Sequence, residues 1–219
     1  MIKNNSIIAF ITPFLNPNHN PLLHKYAILN IMLIIGITGT NAAGKGTVVD
    51  ILKQDFGFKH LSVRDYLARE VKRRNLEVNR NTLIETANDI REKHSPSYIV
   101  EELYKEAEKL QKPVVIESIR TEGEVEALQK KPNFILIAVD ADRKTRYMRS
   151  LKRNSETDHL TYKKFIETEE REMNSPDKGK QSLLKCIELA DIVILNDGTI
   201  EDLRENVWKY IDSSRILPK

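Results

Sequence analysis

A cluster of glycines followed by a lysine is the feature of this 219-residue chain that most directly indicates chemistry. Four of its eight glycines fall within residues 36–46, and two of them form the pattern Gly39-x-x-x-x-Gly44-Lys45. Glycine is favoured where the backbone has a positive φ or approaches a ligand closely. Successive backbone N–H groups and a helix N-terminus then bind phosphate, and the lysine reaches the β- and γ-phosphates of a nucleotide. The spacing therefore predicts a phosphate-binding loop.

The predicted ATP-binding residues are the loop and the start of the helix that follows it. The usual motif has Ser or Thr directly after the lysine, whereas here Gly46 takes that place and Thr47 comes next. Thr47 is therefore the predicted hydroxyl ligand of Mg2+. The full set is Gly39, Thr40, Asn41, Ala42, Ala43, Gly44, Lys45, Gly46, Thr47 and Val48.

The elements around this loop predict an α/β fold. Strands that alternate with helices of ten or more residues form a parallel sheet with both faces covered, and apolar runs such as Phe134–Val139 fit strands buried on both sides. The helical segments include an amphipathic run at Tyr98–Leu110 and a charged one at Thr161–Met173. The predicted strands are Leu33–Ile37, Lys59–Val63, Val114–Ser118, Phe134–Val139 and Ile192–Leu195.

Two charged residues follow the third predicted strand. An acid such as Glu117 at the end of a buried strand is costly unless it has a partner or a role, and ligands bind at this edge of parallel sheets. The planar guanidinium of Arg120 suits a phosphate. The alternative is a capped strand end with a surface arginine.

Two family resemblances follow from these motifs. The sequence Gly44-Lys45-Gly46-Thr47 resembles the loop of nucleoside monophosphate kinases, the adenylate kinase group, and the resemblance extends over nearly all of 32–219. It implies a P-loop NTPase fold with a five-stranded parallel sheet flanked by helices, a small helical lid at about 143–173, and ATP with Mg2+. The segment Asp191–Thr199 is similar to dephospho-CoA kinases and implies that Asn196 and Gly198 lie near the adenine.

The first resemblance also implies an acceptor site. Asp65 matches the aspartate of a Gly-Asp-x-x-Arg element in these kinases, but Arg64 replaces the glycine and Arg69 comes one residue late. One residue is about 100° of helix rotation, so Arg64 is preferred to Arg69 as the phosphate ligand. Arg91 is a further candidate acceptor ligand, with a surface salt bridge as the alternative.

By the same resemblance, Glu117 would hold a magnesium-bound water or the acceptor, and Arg120 would bind the acceptor phosphate. The predicted lid carries Arg146, Arg149 and Arg153 at a spacing that puts them on one helix face. Arg153 best matches a lid arginine and is predicted to be catalytic together with Lys45 and Arg120. Arg149 is expected to lie on a solvated face.

Composition limits the class of protein. A single cysteine, Cys186, indicates a reducing compartment. The mean hydropathy of -0.44 and the lack of a long apolar run predict no membrane span and a cytoplasmic location. Lys3 and Lys25 carry two of the three net positive charges, so the rest of the chain is nearly neutral and no nucleic-acid partner is expected. The oligomeric state stays open.

Residues 1–31 differ from the remainder in being rich in proline and asparagine and free of acidic residues. We expect them to form an N-terminal extension that is disordered or that reflects a start codon assigned too early, with Met32 as the true start. The kinase domain is then 32–219.

The sequence therefore predicts ATP- and Mg2+-dependent phosphoryl transfer to a small nucleotide-like acceptor. A nucleoside or deoxynucleoside monophosphate is the leading acceptor, and dephospho-CoA is the alternative. A hydroxyl acceptor would need a carboxylate base, either Asp65 or Glu117. The remaining alternatives are a regulatory module that binds and slowly hydrolyses ATP, and a kinase acting on RNA ends, which the near-neutral charge disfavours.

Overall fold

The computed structural model of the chain describes residues 33–153 and 161–212. Its five strands form one parallel sheet in the order β2-β3-β1-β4-β5, which confirms the predicted P-loop NTPase-like fold. The strands are β1 Ile34–Gly39, β2 Lys59–Ser62, β3 Val114–Glu117, β4 Phe134–Asp140 and β5 Ile192–Leu195. Within the described ranges the helices are α1 Lys45–Phe56, α2 Val63–Arg73, α3 Arg80–Lys93, α4 Tyr98–Leu110, α5 Glu122–Gln129, α6 Arg143–Arg153, α7 Tyr162–Met173, α8 Leu183–Glu188 and α9 Ile200–Asp212.

The central strand β1 is buried along its whole length and connects the two cores of the domain. Ile35 and Ile37 belong to a core on one face of the sheet, which α1 and α9 cover. Ile34 belongs to the opposite core, which is formed with α2, α3, α4 and α5. Because side chains alternate along a strand, one apolar run supplies both layers.

The observed strands match the predicted ones to within two residues. The largest difference is at β1, which continues past Ile37 because Thr38 and Gly39 still pair with Ala138 and Val139 of β4. The strand therefore delivers Gly39 directly to the carboxyl edge of the sheet, where the phosphate loop begins. Helix α4 has the predicted bounds, Tyr98–Leu110.

One other predicted segment, the lid, is partly described, and the predicted extension is not described at all. The predicted lid contains α6 and α7, whereas residues 154–160 between them lie outside the described residues, as does the predicted extension at 1–31. No helix in the described ranges is both long and apolar enough to cross a membrane.

Candidate functional site

The loop between β1 and α1 has backbone geometry that requires its glycines. Gly39 and Gly44 have φ of 128° and 102°, and Ala42 between them also has a positive φ of 57°. A Cβ on Gly39 would lie 1.9 Å from the carbonyl oxygen of Val139, and a Cβ on Gly44 would lie 2.3 Å from Nδ2 of Asn196. The first and last glycines of the motif are thus fixed by the fold itself.

Lys45 is the first residue of α1, and its ammonium group lies over the loop. Its Nζ donates to the carbonyl oxygens of Gly39 at 3.0 Å and Thr40 at 2.6 Å. The positive charge therefore sits at the mouth of the loop, beside the N-terminus of α1. Both features favour an anion at this position.

Asn196 connects the end of β5 to the loop. Its Nδ2 donates to the carbonyl oxygen of Ala43 at 2.8 Å, and its backbone N–H donates to the backbone carbonyl oxygen of Asp140 at 2.7 Å. Arg149 of α6, predicted to lie on a solvated face, instead donates to the carbonyl oxygens of Asn196 at 2.7 Å and Gly198 at 3.3 Å. The segment that the dephospho-CoA kinase resemblance assigns to adenine is thereby held against the loop.

Asp140, the last residue of β4, is a site residue that the sequence analysis did not identify. The hydroxyl of Thr40 donates to its Oδ1 at 2.5 Å, and Nε of Arg146 lies 3.6 Å from the same oxygen. Asp140 and Glu117 both follow apolar strands, so the signal that identified Glu117 was also present for Asp140.

Glu117 ends β3, next to the central strand, and it interacts with His60, Lys45 and Arg120. Nε2 of His60 lies 3.2 Å from Oε2 of Glu117. This hydrogen bond lowers the pKa of Glu117 below its ordinary value, and the charges of His60, Lys45 and Arg120 also lower it, whereas burial raises it. The carboxylate is therefore ionised at neutral pH, which suits a role near Mg2+. The chain turns immediately afterwards at Ser118, whose φ is 74°.

Arg120 lies in the connection from β3 to α5, and its side chain is 39% exposed. Its Nη1 is 3.6 Å from Oε2 of Glu172 on α7, a loose pair that leaves the group accessible to an anionic ligand. The backbone N–H groups of Arg120 and Thr121 donate to the buried Glu124.

The predicted acceptor residues on α2 differ in their surroundings. Arg64 and Asp65 are exposed in the first turn, where the hydroxyl of Ser62 accepts hydrogen bonds from both backbone N–H groups. Arg69 instead pairs with Glu106 of α4 at 2.9 Å. This ion pair favours Arg64 over Arg69 as the candidate acceptor ligand.

Arg91 of α3 forms an ion pair with a buried carboxylate. Its Nη2 lies 3.0 Å from Oε1 of Glu124, whose other oxygen caps α5. The salt-bridge alternative for Arg91 is thus present, although its partner is buried rather than on the surface.

The arginines of the predicted lid do not share one environment. Arg146 is 4% exposed: its Nε donates to Ala141 at 2.8 Å, and its Nη1 bonds to the buried Glu169 of α7. Arg143 donates to the other oxygen of Glu169 at 2.8 Å. Arg153, the predicted catalytic lid residue, ends α6, and its side chain lies outside the described part of the chain.

A Mg2+ site built only from protein ligands is not found among residues 33–153 and 161–212, where no three His, Cys, Asp or Glu side chains come close enough together to bind a metal. Mg2+ in nucleotide sites usually has only one or two protein ligands, and phosphates and water complete its coordination. The half-buried Thr47 and the ionised Glu117 fit that requirement.

Two alanine variants distinguish Gly44, which the fold requires, from Gly46, which we expect a bound phosphate to require. Gly44→Ala should lower the free energy of unfolding by about 1–3 kcal/mol, because its φ is positive and a Cβ would displace Asn196. Gly46→Ala should leave the protein as stable or about 0.5–1 kcal/mol more stable, because nothing lies within 4 Å of a Cβ there.

The same Gly46→Ala variant should bind ATP about tenfold more weakly, since its methyl group would occupy space open to a phosphate. Urea unfolding and calorimetric titration with ATP measure the two effects. Equal losses of stability in both variants would contradict this assignment.

Comparison with known proteins agrees with this description. Residues 38–165 match the AAA_17 family model, described as an AAA domain. The UPF0200 protein MJ1399 of Methanocaldococcus jannaschii is 33% identical over 174 residues, which is 78% of this chain and 85% of that protein. The UPF0200 protein of Methanothermobacter thermautotrophicus is 31% identical over 182 residues, with 82% and 90% covered.

Two solved structures have a similar fold. Shikimate kinase from Acinetobacter baumannii, in complex with shikimate, aligns with a TM-score of 0.57 at 16% identity, over 84% of this chain and 95% of that one. TT1252 from Thermus thermophilus aligns with a TM-score of 0.56 at 23% identity, over 80% and 94%.

The parallel sheet and the glycine loop that ends in Lys45 define a P-loop NTPase-like α/β protein with a kinase-like fold. Sequence similarity assigns it more closely: the chain belongs to the UPF0200 family and carries an AAA_17 domain.

Proposed function

We propose that this protein transfers the γ-phosphoryl group of ATP to a small nucleotide-like acceptor, with a nucleoside or deoxynucleoside monophosphate as the leading candidate. The observation that carries the proposal is the placement of Lys45, Glu117 and Arg120. Glu117 pairs in register with Ile37 of β1, two residues before the loop begins at Gly39. The charges of Lys45 and Arg120 both lower the pKa of Glu117, so the phosphate-loop lysine and the candidate acceptor arginine act on one carboxylate. A module that only binds ATP would not need Glu117 and Arg120, the residues on the acceptor side of the loop.

In this proposal the loop residues 39–48 bind the phosphates of ATP, and Asn196 and Gly198 lie beside the adenine. Thr47 and Glu117 would hold Mg2+, which when bound neutralises charge on the phosphoryl oxygens. Arg120 orients the acceptor phosphate through its planar guanidinium. Arg64 and Asp65 bind the acceptor from α2, Arg91 lines the pocket, and Arg153 comes from the lid to exclude water.

The pairing of two candidate arginines favours dephospho-CoA as a second acceptor. Arg69 is bound to Glu106 and Arg91 to Glu124, so fewer arginines are available for a doubly charged acceptor phosphate than the motif comparison implies. The hydroxyl group that would accept the phosphoryl group of ATP on dephospho-CoA is uncharged, so the reacting atom itself needs no cation beside it, but it needs a carboxylate to receive its proton. The exposed Asp65 in the first turn of α2 is suited to that role.

The test is the rate of ADP formation by the full chain with Mg2+ and ATP, in the presence of each common ribo- and deoxynucleoside monophosphate or dephospho-CoA. We expect one monophosphate to raise the rate at least about 100-fold over ATP alone, since typical kinases turn over at 1–100 per second. Stimulation by dephospho-CoA alone would select the second acceptor. Slow hydrolysis that no acceptor changes would contradict phosphoryl transfer and favour a regulatory module.

A further inference from the structure

His60 lies on the face of the sheet that carries the phosphate-loop helix. In the register between β2 and β3, His60 is opposite Val115 and Ser62 is opposite Glu117. Side chains two residues apart on a strand share a face, so His60, Val115 and Glu117 point to the same side. Val115 packs in the core that α1 covers. His60 and Glu117, the candidate metal ligand, therefore lie on the face of the sheet that α1 and Lys45 occupy.

The contact between the two side chains has a defined direction. An ionised carboxylate can only accept hydrogen bonds, so Nε2 of His60 must carry the proton and donate to Oε2 of Glu117 across 3.2 Å. Both side chains are largely shielded, with 27% of His60 and 23% of Glu117 exposed. A hydrogen bond to a charged group in such surroundings contributes more than one at the surface.

The Glu117 carboxylate can take several orientations unless a neighbouring group holds it in one of them. A glutamate has three rotatable side-chain bonds, and this one sits at the last residue of β3, directly before the turn at Ser118. Lys45 and Arg120, whose charges also act on Glu117, are the groups that we propose bind substrate phosphates. His60 is the group that can hold the carboxylate while those two engage a ligand.

We propose that His60 is a positioning residue of the active site, which fixes the orientation of the Glu117 carboxylate toward the nucleotide-bound metal ion. This inference rests on the proposed function, because it assumes that Glu117 serves a bound nucleotide. Outer partners of metal ligands typically change metal affinity by about 10- to 100-fold when they are removed.

The test uses three variants of the full-length chain, each with one substitution on β2. His60→Leu removes the donor but keeps an apolar side chain, whereas His60→Gln places an amide N–H at a reach similar to that of Nε2. Lys59→Leu is the matched control, because Lys59 is exposed and points to the opposite side of the same strand. The unfolding midpoint of each variant separates loss of structure from loss of positioning.

The readout is the affinity of the protein–ATP-analogue complex for Mn2+, followed by the electron paramagnetic resonance signal of free Mn2+ with a non-hydrolysable analogue. His60→Leu should weaken Mn2+ binding about tenfold or more, whereas His60→Gln and Lys59→Leu should stay within about threefold of the native protein. Affinity for the analogue without metal should be unchanged in all three.

Equal Mn2+ affinity in His60→Leu and the native protein would overturn the inference and leave the proposed function intact. Equal losses in His60→Leu and His60→Gln would also overturn it, because the effect would then not depend on the donor. Failure of the native protein to bind the ATP analogue at all would refute the proposed function and the role of His60 together.

Discussion

Replacing Lys45 with Met should lower kcat/KM for ATP by about 10³-fold, equivalent to roughly 4 kcal/mol of transition-state stabilisation. The ammonium group is held over the loop by hydrogen bonds of 3.0 and 2.6 Å to Gly39 and Thr40, so it is in position before ATP arrives. Methionine keeps most of the apolar stem and removes the charge. Because phosphoryl transfer depends on positioning and charge neutralisation, no other group in the loop compensates for that loss.

Lys53→Met on the same helix is the matched control for Lys45→Met. Lys53 is exposed and pairs with Asp50 at 3.2 Å, one helical turn away, so its removal should change kcat/KM less than twofold. Steady-state kinetics of both variants, with the most active acceptor, measure the effect. Activity in Lys45→Met that matched Lys53→Met would contradict the role of the loop.

Glu169→Leu should lower the free energy of unfolding by about 3–5 kcal/mol, the largest effect that we expect on stability. Glu169 and Arg146 are bound to each other with side chains only 4% and 5% exposed, and they join α7 to α6. Removing the carboxylate leaves the buried guanidinium of Arg146 without its nearest counter-ion, because the carboxylate of Asp140 lies farther away, 3.6 Å from Nε, and this loss costs more than the intact pair contributes. Urea unfolding at pH 7 measures the change.

A double variant distinguishes a buried ion pair from general damage to α7. Arg146→Met combined with Glu169→Leu removes both charges and should recover more than half of the stability lost in Glu169→Leu. Lys164→Met, which breaks an exposed pair with Glu167 on the same helix, should change stability by less than about 0.5 kcal/mol. A double variant no more stable than Glu169→Leu would contradict the ion-pair explanation.

The stability contributed by Glu169 should depend on pH in one direction. Burial raises the pKa of Glu169, but hydrogen bonds and charges from Arg146 and Arg143 outweigh it and hold the pKa below its ordinary value. A lowered pKa in the folded protein gives stability that is present above the ordinary value of 4.5 and is lost as the pH falls through the folded value. The difference between the native protein and Glu169→Leu should therefore be constant near neutral pH and shrink only below about pH 4.5.

The strands and the phosphate loop could be predicted because their signals are local. An apolar run such as Ile192–Leu195 is a strand in the structure with the same bounds, and the glycine spacing marks Gly39 and Gly44, which have positive φ. The alternation of strands and helices along the chain then determines the parallel sheet, since every pair of successive strands is connected through at least one helix.

The side-chain pairs of the site could not be predicted, because they depend on register between strands and helices far apart in the sequence. The hydrogen bond of Thr40 to Asp140 joins residues 100 positions apart, and that of His60 to Glu117 joins residues 57 apart. Helical spacing predicts that Arg146 and Arg149 lie on one face of α6, but spacing alone does not say which face is buried. Here Arg146 faces Glu169 in the interior, while Met148 is 53% exposed.

The fate of the γ-phosphoryl group tests the proposed phosphotransferase most directly. ATP labelled at the γ-position would be incubated with the full chain, Mg2+ and the acceptor that most stimulates ADP formation, and the products separated chromatographically. We predict that the label appears in the acceptor in a one-to-one ratio with ADP, and that Lys45→Met abolishes this transfer. Label found only as inorganic phosphate, at a rate that no acceptor changes, would show that the protein hydrolyses ATP and is not a kinase.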